Sequence, residues 1–251
     1  MFQTKLLSKT SSKVIDVFDS DMPKNDFISV SSNITGVSGS RLDVHKWLPQ
    51  AAPHYQISPN LNDYIIVPVV TVVSEIPNTN GDFIEREEIM EFNTQFGMCF
   101  YNTFKGKPVQ HEHNNKILSQ ARGVILDCYV SPLKGFAGNR IKIVQLLAID
   151  KTKDREIAKD IADRKINTYS IGAKYQAYQC SISKKIYRPN QQAGQYTQPN
   201  VPTYRLNNGQ LVFRKLKDLY GFETSIVKNP AFISALSDDI IDMSSAKFDF
   251  I

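Results

Sequence analysis

The sequence predicts a mainly β or α+β fold, a barrel-like body with a few peripheral helices. Three observations predict it. The run Tyr-Ile-Ile-Val-Pro-Val-Val-Thr-Val-Val from Tyr64 is β-branched and nearly continuous, as a buried strand requires. Further strand-like runs follow along most of the chain. Only one segment holds a clear helical period.

In chain order, residues 1–60 differ from the rest. They are rich in Ser, Asn and Asp, and proline recurs at Pro23, Pro49, Pro53 and Pro59. This stretch reads as an irregular N-terminal arm, docked on the body through Trp47 and Leu48. The strand from Tyr64 is expected to break at Pro68. Pro77 to Gly81 forms a turn, and 84–93 is a short amphipathic helix candidate. Strands are expected at 100–104, 109–113, 123–130 and 141–149. The clear helix is N-capped by Thr152, carries Ile157, Ala158, Ile161 and Ala162 on one face, and ends near Asn167. One strand is expected over 168–181, then a polar loop rich in Pro, Gln and Asn over 183–202. Strands return at 210–214 and 221–228. A short helix candidate follows Pro230-Ala231, and the acidic tail, 237–251, is irregular. The body thus spans 61–236.

Composition narrows the function classes. At 251 residues, 41% hydrophobic and 22% charged, the chain has the makeup of a globular protein with a substantial core. No apolar run approaches the roughly 18–20 residues that span a bilayer, so no membrane role is expected. The net charge of +5 is interspersed with acids, which gives no expectation of direct nucleic-acid binding. Cys99, Cys128 and Cys180 are widely spaced, without the CxxC pairs of a zinc knuckle, and suit a reducing compartment. No cofactor is expected.

A serine hydrolase needs a hydroxyl nucleophile, a base and a group that holds the base. Of four histidines, His45 and His54 fall in the arm. His111 and His113 end a strand, where alternation puts both on one face. Such a pair could instead chelate a metal. Ser170 lies in Tyr169-Ser170-Ile171-Gly172, and the glycine removes bulk where a substrate backbone could approach. Glu223, in Phe222-Glu223-Thr224-Ser225-Ile226-Val227, sits among apolar residues and needs a partner, for which an imidazolium is suited.

Three blocks in order resemble the phage prohead maturation proteases of the T4 and HK97 types. They are Gly106-Lys107-Pro108-Val109 running to His113-Asn114, then the helix leading into Ser170-Ile171-Gly172, then Phe222-Glu223-Thr224-Ser225-Ile226-Val227 with Pro230-Ala231. The resemblance covers residues 64–236. The chain departs from the family in having two histidines where one is usual, and in a longer segment between His113 and Arg122. Counting from Gly106 favours His113 over His111, and Asn114 stands where the family often has Asp.

The resemblance implies the assemblin-like β-barrel of the herpesvirus maturation proteases, ringed by a few helices. It implies a serine endopeptidase with Ser170 as nucleophile, His113 as base (His111 the alternative) and Glu223 as the orienting carboxylate. Backbone N–H groups of Ile171 and Gly172 are the oxyanion-hole candidates. The implied substrates are capsid, scaffold and core proteins, and the implied location of the chain is the procapsid interior, after synthesis in the host cytoplasm. Self-cleavage and a homo-oligomer are also implied. Two rivals stay open: a structural virion protein on a related barrel, and a metal-dependent hydrolase built on His111 and His113.

Overall fold

A computed structural model describes residues 44–114, 117–133, 139–188, 204–232 and 241–242. Most of the N-terminal arm, most of the Gln-rich loop and most of the C-terminal tail, with its helix candidate, lie outside these residues.

Fifteen strands and three α-helices are present among the described residues. The long strands are β1 (Tyr64–Val73), β5 (Pro108–His111), β6 (Gly123–Pro132), β7 (Ile141–Asp150), β8 (Tyr169–Lys174) and β14 (Tyr220–Ile226). Short ones are β2 (Asp82–Phe83), β3 (Phe92–Asn93), β4 (Met98–Cys99), β9 (Ala177–Cys180), β10 (Ile186–Tyr187), β11 (Tyr204–Arg205), β12 (Leu211–Val212), β13 (Arg214–Lys217) and β15 (Ile241–Asp242). The helices are α1 (Val44–Tyr55), α2 (Arg86–Met90) and α3 (Arg155–Ala162). The fold is mainly β, as the sequence predicts, with one sheet curled into a half-barrel and few helices.

That sheet has the order β15-β1-β7-β6-β5-β14-β8. Its neighbours are antiparallel except β5 and β14, which run parallel. A smaller sheet, β10-β9-β13-β2, sits beside it. Curling brings β1 near β8. The concave side encloses the main core, including Ile65, Val67, Val109, Ile125, Leu147, Tyr169, Ile171 and Ile226. Alternation sends the intervening residues to the outer face. There Ile66, Val124, Leu126 and Ala148 pack against Trp47, Leu48, Ala51, Ala52 and Tyr55 of α1.

Several local expectations change. Residues 44–55 form a helix despite Pro49 and Pro53, because the apolar residues of 47–55 recur at helical spacing and bury against the sheet, which overrides propensity. Trp47 and Leu48 are both buried there. Pro68 does not break β1; it pairs with Leu146, and the irregularity comes at Val70/Val72. Beyond Ile66 the other edge of β1 carries no strand among the described residues, so the missing N–H is tolerated. Residues 100–104 form a 3₁₀ helix that buries Phe100, Thr103 and Phe104. The N-cap of α3 is Asp154, whose carboxylate accepts the Ile157 N–H at 3.1 Å; Thr152 is held instead by Asp150. The helix ends at Ala162. The expected strand over 168–181 is two strands, β8 and β9, which join different sheets.

Candidate active site

Three neighbouring strands build the site on the outer face of the sheet. In β14, Glu223 and Ser225 are two apart and share that face. Ser225 is in register with Gln110 of β5 on one side and Ser170 of β8 on the other. Glu223 is in register with Gly172. Ser170, Gly172, Glu223, Ser225 and Gln110 therefore lie together. The intervening Tyr169, Ile171 and Ile226 point into the core, which fixes the register because a slip of one residue would bury the polar set there.

His113 is not part of β5. The strand ends at His111, and the next two residues, Glu112 and His113, have φ of 49° and 55°. Two successive left-handed residues that are not glycine cost energy, and such strain persists only where surroundings fix it. Here the Glu112 N–H donates to the Ile226 carbonyl at 3.0 Å, and the His113 N–H donates to Ser225 Oγ at 3.1 Å. The turn carries the imidazole over the end of β14. His113 Nδ1 then lies 2.7 Å from Glu223 Oε1.

This overturns the expectation that His111 and His113 share a face. His111 is in register with Ile226, not Ser225, and the turn separates the two rings. No group of three or more His, Cys, Asp or Glu side chains that could hold a metal occurs among the described residues.

The pair has the geometry of a base with its orienting carboxylate. Glu223 is fully buried and the His113 side chain is 10% exposed, so the hydrogen bond between them is shielded from water. Glu223 accepts at both oxygens, from His113 at Oε1 and from the Ser225 hydroxyl at Oε2, 2.6 Å away. Binding Nδ1 to the carboxylate leaves Nε2 to accept a proton.

Ser170 is 4% exposed and occupies the strand next to this pair. Its hydroxyl is not hydrogen-bonded to His113, so the structure joins base and carboxylate directly and the nucleophile candidate only by strand register. Ser225 cannot take the nucleophile's place, since its hydroxyl is enclosed and already engaged with both His113 and Glu223.

Gly172 has a different use from the one its spacing suggested. A Cβ there would lie 2.4 Å from Glu223 Oε1 and 2.8 Å from the Phe222 ring. The missing side chain makes room for the Glu223 carboxylate and the Phe222 ring. The oxyanion-hole candidates also separate. The Val227 N–H donates to the Thr168 carbonyl, which sets the ladder phase. By alternation, the N–H groups of Ser170 and Gly172 point toward β14. The Ile171 N–H points to the opposite edge of β8, outside the β8–β14 ladder.

Ser225 is the residue that sequence reasoning missed. Its position two residues after Glu223 in a strand was the available signal, since that spacing puts both on one face. His54 is half-buried and stacked edge-on against Tyr55 at 4.7 Å, away from the Glu223 pair. His45 sits in the first turn of α1. Cys128 and Cys180 are buried and Cys99 half-buried; burial pushes the Cys99 and Cys128 thiols up, which suits packing rather than nucleophilic chemistry.

No family model, no curated protein and no solved structure matches this chain. No helix among the described residues is long and apolar enough to cross a membrane.

Proposed function

We propose that this chain is a serine endopeptidase of the prohead-maturation type, with Ser170 as nucleophile, His113 as base and Glu223 as its orienting carboxylate. The observation that carries the reading is the 2.7 Å contact between His113 Nδ1 and the fully buried Glu223, one strand away from Ser170. A carboxylate without a cation or donor would be costly at this depth. Here it holds an imidazole in the tautomer that general-base catalysis needs.

In the proposed reaction Ser170 Oγ attacks the scissile carbonyl carbon while its proton passes to His113 Nε2. Glu223 stabilises the imidazolium. In this reading the Ile171 N–H, which lies outside the β8–β14 ladder, donates to the developing oxyanion. The C–N bond then breaks, and His113 gives its proton to the leaving amine. Water, deprotonated by the same imidazole, cleaves the Ser170 ester and restores the hydroxyl. The Ser170–His113 hydrogen bond would form with substrate in place, since such contacts often tighten only in the complex.

The order of the three sequence blocks supports an assemblin-like barrel and capsid, scaffold and core proteins as substrates, within the procapsid. The N-terminal arm, the Gln-rich loop and the tail are the candidate regions for self-cleavage.

The test uses a fluorophosphonate probe. The Ser170 oxygen would displace fluoride from phosphorus and leave a stable phosphonyl ester. Wild type is expected to label, with the adduct mapped to Ser170 by mass spectrometry. Ser170→Ala is expected to lose all labelling, and also to lose cleavage of capsid or core protein on a gel. Undiminished labelling or cleavage by Ser170→Ala refutes the proposal.

A further inference from the structure

We infer that Ser225 is a positioning residue that sets the base and its carboxylate with one hydroxyl; the inference rests on the His113–Glu223 reading above. Its Oγ donates to Glu223 Oε2 at 2.6 Å and accepts the His113 N–H at 3.1 Å. Both capacities are thus in use, and the residue is fully buried.

The two bonds act on different degrees of freedom. The bond to Glu223 Oε2 fixes rotation of the carboxylate about its terminal torsion, which is otherwise broad. With Oε2 held, Oε1 is turned toward His113 Nδ1. The bond from the His113 N–H fixes the backbone that aims the ring. That backbone is left-handed at both Glu112 and His113, so it needs an external anchor. The Glu112 N–H is anchored by a backbone carbonyl, but the His113 N–H is anchored by a side chain. A substitution at 225 therefore reaches the catalytic geometry without touching substrate.

The test combines labelling with a spectroscopic signature. Ser225→Ala is expected to keep its fold by circular dichroism and to label Ser170 with the fluorophosphonate about tenfold more slowly. Ser225→Thr, which restores the hydroxyl, is expected to recover most of the rate. In wild type the His113 Nδ1 proton should give a far-downfield proton NMR resonance, and in Ser225→Ala that resonance should broaden or vanish. In a Glu223→Gln background the further loss from Ser225→Ala should shrink to near none, because the two act as a unit. A wild-type labelling rate together with an intact resonance in folded Ser225→Ala overturns the inference. If Ser225→Ala does not fold, the near-isosteric pair Ser225→Thr and Ser225→Val replaces it, and equal rates and equal resonances in the pair overturn the inference. Absence of labelling at Ser170 in wild type, with the resonance present and lost in Ser225→Ala, would remove the protease reading and leave the positioning role standing.

Discussion

The outer face of the main sheet has two chemically opposed ends. At the β1-β7-β6 end it presents Ile66, Ala148, Val124 and Leu126, sealed by the apolar side of α1. At the β5-β14-β8 end it presents Gln110, Ser225, Glu223 and Ser170, which are also buried. Burial is similar, yet the energetics are opposite. Apolar contacts at the first end stabilise through area removed from water. At the second end, each polar group must be matched or it costs stability. One end holds the sheet together. The other uses the rigidity so gained to hold the His113 ring and the Glu223 carboxylate together.

Three substitutions would break or sharpen this contrast. The largest effect is expected for Glu223→Gln. It leaves the amide oxygen able to accept from Ser225 but takes away the charge that pairs with His113. Fluorophosphonate labelling of Ser170 should fall by about three to four orders of magnitude, while the urea midpoint moves little. A labelling rate within tenfold of wild type would show that Glu223 is a structural carboxylate only.

Trp47→Ala addresses the opposite end. Trp47 is buried against the sheet and meets Tyr64 edge-on at 5.4 Å. Its loss should cost about 3–5 kcal/mol of stability in urea unfolding. The labelling rate of the folded fraction should stay within about twofold of wild type. A labelling loss matching that of Glu223→Gln would mean the two ends are not separable.

The smallest effect tests the junction. Lys107 precedes β5, is buried, and places its ammonium 5.4 Å from the centre of the Tyr220 ring. Burial pushes its pKa from 10.5 down to about 8. The unfolded chain therefore binds more protons than the folded one between about pH 8 and 10.5. This group's penalty is full below that window and fades as pH rises through it. The stability difference between Lys107→Met and wild type should then move in favour of wild type as pH rises from 7 to 10, by up to about 3 kcal/mol. Urea titrations of both proteins at pH 7 and 10 check this, and taking their difference cancels the contribution of Tyr220, which burial pushes up to about 12. An equal gap at both pH values would contradict it.

The strands were legible because β-branched runs declare themselves, as β1, β6 and β7 did. Helix α1 was not, since Pro49 and Pro53 argue against a helix and only the sheet beneath it repays the cost. The 3₁₀ turn at 100–104 read as a strand because its aromatics suit either conformation. At the site, Ser170, His113 and Glu223 could be named from motif order, but their spatial relation could not. The turn that lifts His113 away from His111 uses Glu and His in a left-handed conformation, which no residue preference announces. Ser225 was visible as a letter, and its role became visible only with the register of three strands.

The Tyr55 hydroxyl, at the end of α1, donates to the Gly106 carbonyl at 2.6 Å. Gly106 has φ of 73° and opens the turn into β5, the strand that leads to His113. A helix from the stretch that looked like a loose arm is thereby moored to the half of the sheet that carries His113 and Glu223. Loss of the chain through Tyr55 would remove this mooring and free the turn from which the path to His113 starts.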